Sequence, residues 1–330
     1  MCPFLEKDKY QEQVKAILES AKWERLSGTI LLIPPENDPR PQHLKTTRQS
    51  HCLQVWRIAH LIVGKAQNTK EIVEEGIVQV ASLCHDLAHL PYGHWAEHKM
   101  PGIHEEIYNL IIDDKDDGND RDKKDVLRSK ITFDHDKNGP EWYSRVMDNE
   151  NLTPCPSVQA AIREHRRPYE RKSCLESFIV AMADDIATLL SNFEDGLNLP
   201  QIAPRYMGIY PTHEAMWLII GLGGHNSIYE WEKEIVSWID DRVFKNKSWL
   251  VNKTKDESWF YICESHRNVM DGLRQLDRFH EKSPHIEARN LNLFKRMMAF
   301  WSQCHKRGLE EKDALNELLS MKEWDFAEFG

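Results

Sequence analysis

The stretch Ala81-Ser-Leu-Cys-His-Asp-Leu-Ala-His-Leu-Pro-Tyr-Gly-His-Trp-Ala-Glu-His98 decides how this chain is read. It opens as the end of an apolar helix. Residues 70–87 carry Ile72, Val73, Ile77, Val80, Ala81, Leu83 and Cys84 at helical spacing. Pro91 and Gly93 then break the chain before a further helix expected near His94–Met100. His85 and Asp86 are neighbours and would not face each other on a regular helix. At a helix terminus both can turn toward one ion. Imidazole nitrogen with carboxylate oxygen suits Mn, Fe, Zn or Co more than Ca, which prefers all-oxygen shells. A His-Asp dipeptide alone means little, and a plain helix C-cap pair is its alternative. Its weight comes from three companions.

The first companion is Arg48-Gln49-Ser50-His51, opening a helix read over residues 47–66. Arg48 and His51 stand at i and i+3 and share a face, which sets an arginine suited to phosphate oxygens beside a metal-type histidine. The second is Ala183-Asp184-Asp185-Ile186, inside the apolar run of a helix read over residues 173–196. A carboxylate on a buried face is costly unless it is paired or ligates metal. The third is the run from His89 to Glu97, which adds two imidazoles and a carboxylate at a turn shaped by proline and glycine.

The remainder of the 330 residues reads as almost all helix. Helical spacing is expected over residues 7–26, 158–166 and 256–320. Residues 28–43 hold four prolines and read as a loop. Residues 113–125, nearly all charged, read as a solvated loop without calcium-loop spacing, and residues 134–140 as a turn-rich break. Trp217–Gly224 reads as a buried helix end or a short strand. His165 with Arg166 and Arg167 could line a site or form a solvated turn, the turn being favoured. The aromatic residues of the C-terminal third read as core packing.

Composition narrows the function classes. The net charge of −10 disfavours general nucleic-acid binding, which needs a basic face to replace counterions. A small anionic substrate is still admissible, because a local pocket can be positive on an acidic protein. Seven cysteines without C-x-x-C pairing read as reduced thiols of a cytoplasmic protein. The N-terminus lacks the pattern of a secretion signal, and no run is long and apolar enough to span a bilayer.

The arrangement H…HD…D resembles the HD superfamily of metal-dependent phosphohydrolases. The run ASLCHDLAHLPYGHWAEH is similar to the HD-x-x-H-x-P-F-G-H-x-x-E segment of its dGTPase-like deoxynucleoside triphosphate triphosphohydrolases. SCLESFIVAMADDIATLLSNFEDGL resembles that branch's ADDIAY helix, TTRQSHCLQVWRIAHLI its R-x-x-H-S-x-x-V helix, and SAKWERLSG its S-x-x-x-R-L segment. The motifs span residues 20–200 in the family's order. The resemblance implies an all-α HD-domain helical fold over residues 1–200, with a helical C-terminal extension over 201–330 packed on it. It implies one divalent metal ion per site (Mn, Fe, Co, Zn or Mg) on His51, His85, Asp86 and Asp184, Asp185 being a neighbour. It places His94 and Glu97 as the catalytic pair, with His104 as a further candidate, and Arg48 and His89 on substrate phosphates.

Two positions depart from the pattern. Thr188 stands where the family has a tyrosine and Asn192 where it has an aspartate, both positions that help hold the sugar. The implied activity is hydrolysis of a dNTP to deoxynucleoside and triphosphate by an expected homo-oligomer. The departures keep open an HD phosphohydrolase acting on a signalling or modified nucleotide. A nucleotide-sensing protein without turnover is the alternative of a different class.

Overall fold

The computed structural model describes residues 3–29, 46–67, 73–90, 134–166 and 172–198, with short pieces between residues 233 and 317. The helices are α1 (Pro3–Glu19), α2 (Ala21–Leu26), α3 (Arg48–Gln67), α4 (Glu75–Cys84), α5 (His135–Asn149), α6 (Pro156–Arg163) and α7 (Leu175–Asn198). The chain is all-α in class, as expected. His94, Glu97, His104, residues 113–125 and Trp217–Gly224 lie outside the described residues.

α4 is the centre of the packing. Ile77, Val78, Val80, Ala81, Ser82, Leu83 and Cys84 are all buried, and a helix apolar on most of its circumference belongs inside. α3 packs on both α4 and α7, while α1 and α6 close over α4. The shared core includes Val55, Ile58 and Ile62 of α3 and Phe178, Ile179, Met182 and Ile186 of α7. The N-terminus of α4 is tied to that of α7. Glu176 Oε1 accepts from the Glu74 backbone N–H at 2.8 Å, satisfying a donor that α4 itself cannot. α3 begins with a reciprocal cap. Thr47 Oγ1 accepts from Ser50 N at 3.1 Å, and Ser50 Oγ accepts from Thr47 N at 2.9 Å. That cap fixes the first turn of α3, from which Arg48 and His51 project.

α1 approaches α4 through Gly76. A Cβ at that position would fall inside the ring of Tyr10. The ring is rigid and buried, so Gly76→Ala should lower stability by about 1–3 kcal/mol, the usual cost of overpacking. Urea denaturation would read this as a reduced midpoint at unchanged slope.

Three local readings differ from the sequence expectation. The single helix over residues 7–26 is two, because Ser20 ends one and starts the next. Its Oγ donates to the Ile17 carbonyl at 2.7 Å and accepts from Trp23 N at 3.2 Å. Residues 134–140 are the start of α5 rather than a break. Asp134 is its N-cap, accepting from Asp136 N at 3.1 Å. Gly139 lets the helix lie against α6, where a Cβ would come within 2.7 Å of Ile162 Cγ2. Pro140 is accommodated inside this packed helix. Finally, Ser258–Phe260, within a stretch read as helical, forms strand β2, antiparallel to β1 at Leu250–Lys253. Ser-Trp-Phe is too short a run for helical spacing to overrule local β preference.

No helix among the described residues is long and apolar enough to cross a membrane. The described cysteines, Cys52, Cys84, Cys155, Cys174 and Cys304, are all free thiols.

Candidate metal centre

Three helices deliver one cluster. α3 contributes His51, α7 contributes Asp184, and the turn ending α4 contributes His85 and Asp86. That turn is held by backbone bonds from Leu87 N to the Cys84 carbonyl and from His89 N to the Asp86 carbonyl, both 3.0 Å. His51 Nε2 lies 3.0 Å from Asp184 Oδ1. His85 Nε2 lies 3.5 Å from both Asp86 Oδ1 and Asp184 Oδ1, and His51 Nε2 is 3.9 Å from Asp86 Oδ2. The nearest-facing atoms of His51, His85 and Asp184 all lie within 4.8 Å of one another.

The donor chemistry fits a cation. His85 Nδ1 donates to the Ser82 carbonyl at 2.8 Å, so a neutral His85 presents a bare lone pair at Nε2. Two carboxylate oxygens face that lone pair. Three acceptors converging in a buried site require a proton or a metal among them. The carbonyl that takes Nδ1–H also fixes the ring's tautomer and orientation, as outer partners of metal-bound histidines do.

Without a metal the cluster is held by protons and charge. Burial disfavours an imidazolium at His85, but Asp86 and Asp184 outweigh it and push its pKa up to about 9. Burial opposes the carboxylate of Asp86, yet His85, Arg48 and His51 hold it well below the usual range. For Asp184, burial is likewise outweighed, here by hydrogen bonds from His51 and His85. Arg48 Nη1 donates to Asp86 Oδ2 at 2.9 Å, with both side chains nearly buried.

The other expected residues fall around this point. His89 is buried, its Nε2 3.4 Å from Asp86 Oδ1. Arg48 and His89 therefore both lean on Asp86. Thr188 is half-buried one turn along α7, with Oγ1 3.5 Å from Asp184 Oδ1. Asn192 is on the same helix, its side chain outside the described residues.

Sequence reasoning missed several neighbours and favoured a solvated turn for another, His165. Cys52 is fully buried beside Asp86, and burial with that carboxylate pushes its thiol well up, so it stays protonated. His135, Asp136 and His165 also converge here. His135 stacks on His89 with ring centroids 3.8 Å apart, and His165 meets His85 edge-on at 5.0 Å. The signal for them was weak: Asp134-His135-Asp136 precedes a glycine and a proline, and His165 precedes two arginines. Arg25 is the third omission. Its buried Nη2 donates to the carbonyls of Leu87 at 3.1 Å and His89 at 2.9 Å. Arg25→Ala would strip a donor from two carbonyls of the His-Asp turn. The expected cost is about 1–3 kcal/mol, with weaker metal binding measurable by competition with a chromogenic chelator.

Residues 48–189 match the family model described as HD domain, a span that runs from the first residue of α3 to the middle of α7, past Asp184. This part of the chain is therefore similar to an HD domain. The chain is similar to a deoxyguanosinetriphosphate triphosphohydrolase-like protein of Streptomyces coelicolor, 24% identical over 230 residues, covering 63% of this chain and 51% of that protein. A protein of the same description from Corynebacterium diphtheriae is 26% identical over 201 residues, covering 55% of this chain and 44% of its own. The chain thus spans about half the length of the curated relatives it matches.

Proposed function

We propose that this protein hydrolyses a nucleoside triphosphate at the centre built from His51, His85, Asp86 and Asp184, releasing triphosphate, with a deoxynucleoside triphosphate as first substrate. One observation carries the reading: two imidazoles and two carboxylates from three helices converge inside the matched HD domain, with an acceptor geometry that needs a cation. A divalent metal held there would act as a Lewis acid toward a phosphate oxygen.

The chain's own residues do the rest. Arg48 donates to Asp86, and Arg48 and His89 are proposed to meet the substrate's phosphate oxygens. His94, oriented by Glu97, is proposed as the general acid or base, with His104 as a further candidate. His94→Ala should lower the rate by about 10²–10⁴ while leaving metal content unchanged. An expected homo-oligomer, and the division into an HD domain over 1–200 with an extension over 201–330, belong to the same proposal.

A second reading has its own support. Thr188 sits one helical turn from Asp184, at a position where the family has a tyrosine, and Asn192 replaces an aspartate. These changes favour a different sugar or a modified nucleotide. The test is a panel of dNTPs, NTPs and signalling nucleotides with Mn²⁺, Mg²⁺ or Co²⁺, with product analysis and a His85→Ala control. Triphosphate released from dNTPs alone supports the first reading. Turnover of non-deoxy substrates alone replaces it with the second. Absence of turnover in every metal would refute both and point to a sensor.

A further inference from the structure

Cys52 is a buried group at the centre that the proposed reaction leaves unused. The motif R-x-x-H-S-x-x-V, which residues 48–55 resemble, carries a serine directly after its histidine, and this chain has Cys52 there. Neighbouring side chains on a helix point about 100° apart and do not face each other. α3 packs on both α4 and α7, so two successive residues serve two different elements. His51 reaches α7, with Nε2 3.0 Å from Asp184 Oδ1. Cys52 reaches the turn that ends α4. A donor atom from each of Cys52, His85 and Asp86 lies within 4.8 Å of the other two, and all three residues are buried.

These separations suit an ion. Zinc binds sulfur at about 2.3 Å and nitrogen or oxygen at about 2.0–2.2 Å, which sets donors across a tetrahedral ion about 3.5 Å apart. A set already within 4.8 Å closes on such an ion by side-chain shifts of about 1 Å.

The set differs in chemistry from the one formed by His51, His85 and Asp184. That one offers only nitrogen and oxygen, whereas Cys52 adds sulfur. A thiolate favours Zn²⁺, while carboxylate and water suit Mn²⁺ and Mg²⁺. The two sets share His85. Its Nδ1 donates to the Ser82 carbonyl, so a single lone pair, at Nε2, is left for one ion. The sets are therefore alternatives.

We propose that Cys52, His85 and Asp86 form an alternative cation site that prefers Zn²⁺ to Mn²⁺, and that its occupation excludes an ion from His51, His85 and Asp184. The proposal rests on reading the latter set as a metal centre. Binding breaks the Cys52 S–H bond, forms a sulfur–metal bond and releases one proton to solvent. Zn²⁺ is then a competitor of Mn²⁺ loading rather than a substitute for Mn²⁺.

The test uses the full chain, stripped by chelator and loaded with Co²⁺, whose spectrum reports its ligands. The wild type should show a near-ultraviolet sulfur-to-cobalt charge-transfer band. Cys52→Ser should lose that band yet still bind Co²⁺ through the nitrogen and oxygen set, whereas His51→Gln should keep the band. Competition titrations should show Zn²⁺ affinity lowered by about 100-fold or more in Cys52→Ser, at least the cost of losing an outer partner of a ligand, with Mn²⁺ affinity little changed. X-ray absorption of the Zn²⁺-loaded wild type needs no variant to fold, and should show a sulfur shell at about 2.3 Å. Bound Co²⁺ and Zn²⁺ without the band or the sulfur shell would overturn the thiolate set and leave the other standing. A band that persists in Cys52→Ser assigns the sulfur to another cysteine and overturns it as well. A wild type that binds neither ion overturns both sets.

Discussion

Asp86→Ala should yield a protein that retains no metal at the candidate centre and lacks the proposed nucleotide hydrolysis. Asp86 is the residue on which the cluster turns. Its Oδ1 lies 3.5 Å from His85 Nε2 and 3.4 Å from His89 Nε2, and its Oδ2 takes the 2.9 Å bond from Arg48. Deleting it removes one proposed ligand and the charge that raises the His85 pKa in the metal-free state. A Lewis acid contributes several kcal/mol to transition-state charge stabilisation, so the rate should fall by about 10³ or more. The same substitution removes the carboxylate from a buried arginine, which costs about 3–5 kcal/mol. Asp86→Asn keeps the shape and separates the two effects: activity should fall comparably, stability less. Steady-state rates, metal content and thermal melts on both variants would check this. Retained metal and turnover in Asp86→Ala would show that the centre lies elsewhere.

The second large effect is a dependence of stability on pH that reverses when metal is present. In the metal-free protein the pKa of His85 is raised from 6.5 to about 9. A base whose pKa is raised by folding stabilises the fold fully below its unfolded value and loses that contribution as pH rises through its folded value. The metal-free protein should therefore weaken between about pH 6.5 and pH 9, by on the order of 3 kcal/mol. With metal, the ion replaces the proton at Nε2. Binding then expels a proton, and apparent affinity should rise about tenfold per pH unit over the same window. Thermal melts with and without chelator across that range, together with metal titrations, measure both. A flat profile in the chelated protein would remove the raised His85 pKa from the account.

Much of the frame was legible because its signals are local. The apolar spacing of α3, α4 and α7 gives their existence, and the His-Asp pair falls at the end of α4 because Leu87 and His89 close a turn there. The resemblance implied His51, His85, Asp86 and Asp184 as one set, each carried by a local motif, and the fold brings the four side chains together. What escaped was what tertiary packing decides. His135 and Asp136 lie in a segment whose glycine and proline argue against helix, yet the Asp134 cap and the close approach of Gly139 to Ile162 build one. His165 looked like part of a solvated turn because two arginines follow it, and only the fold turns it toward Asp136. Arg25 had no partner in sequence at all, since the carbonyls it serves are 62 and 64 residues away.

The span between the proposed ligands has a consequence for folding. His51 and Asp184 are 133 residues apart, and the His-Asp turn lies between them. No short segment of the unfolded chain holds a complete ligand set, so the site exists only once α3, α4 and α7 have docked. Contacts of such long sequence separation are reached after loop-closure entropy has been overcome. An ion bound there would act as a late staple, slowing escape from the native state far more than it hastens arrival.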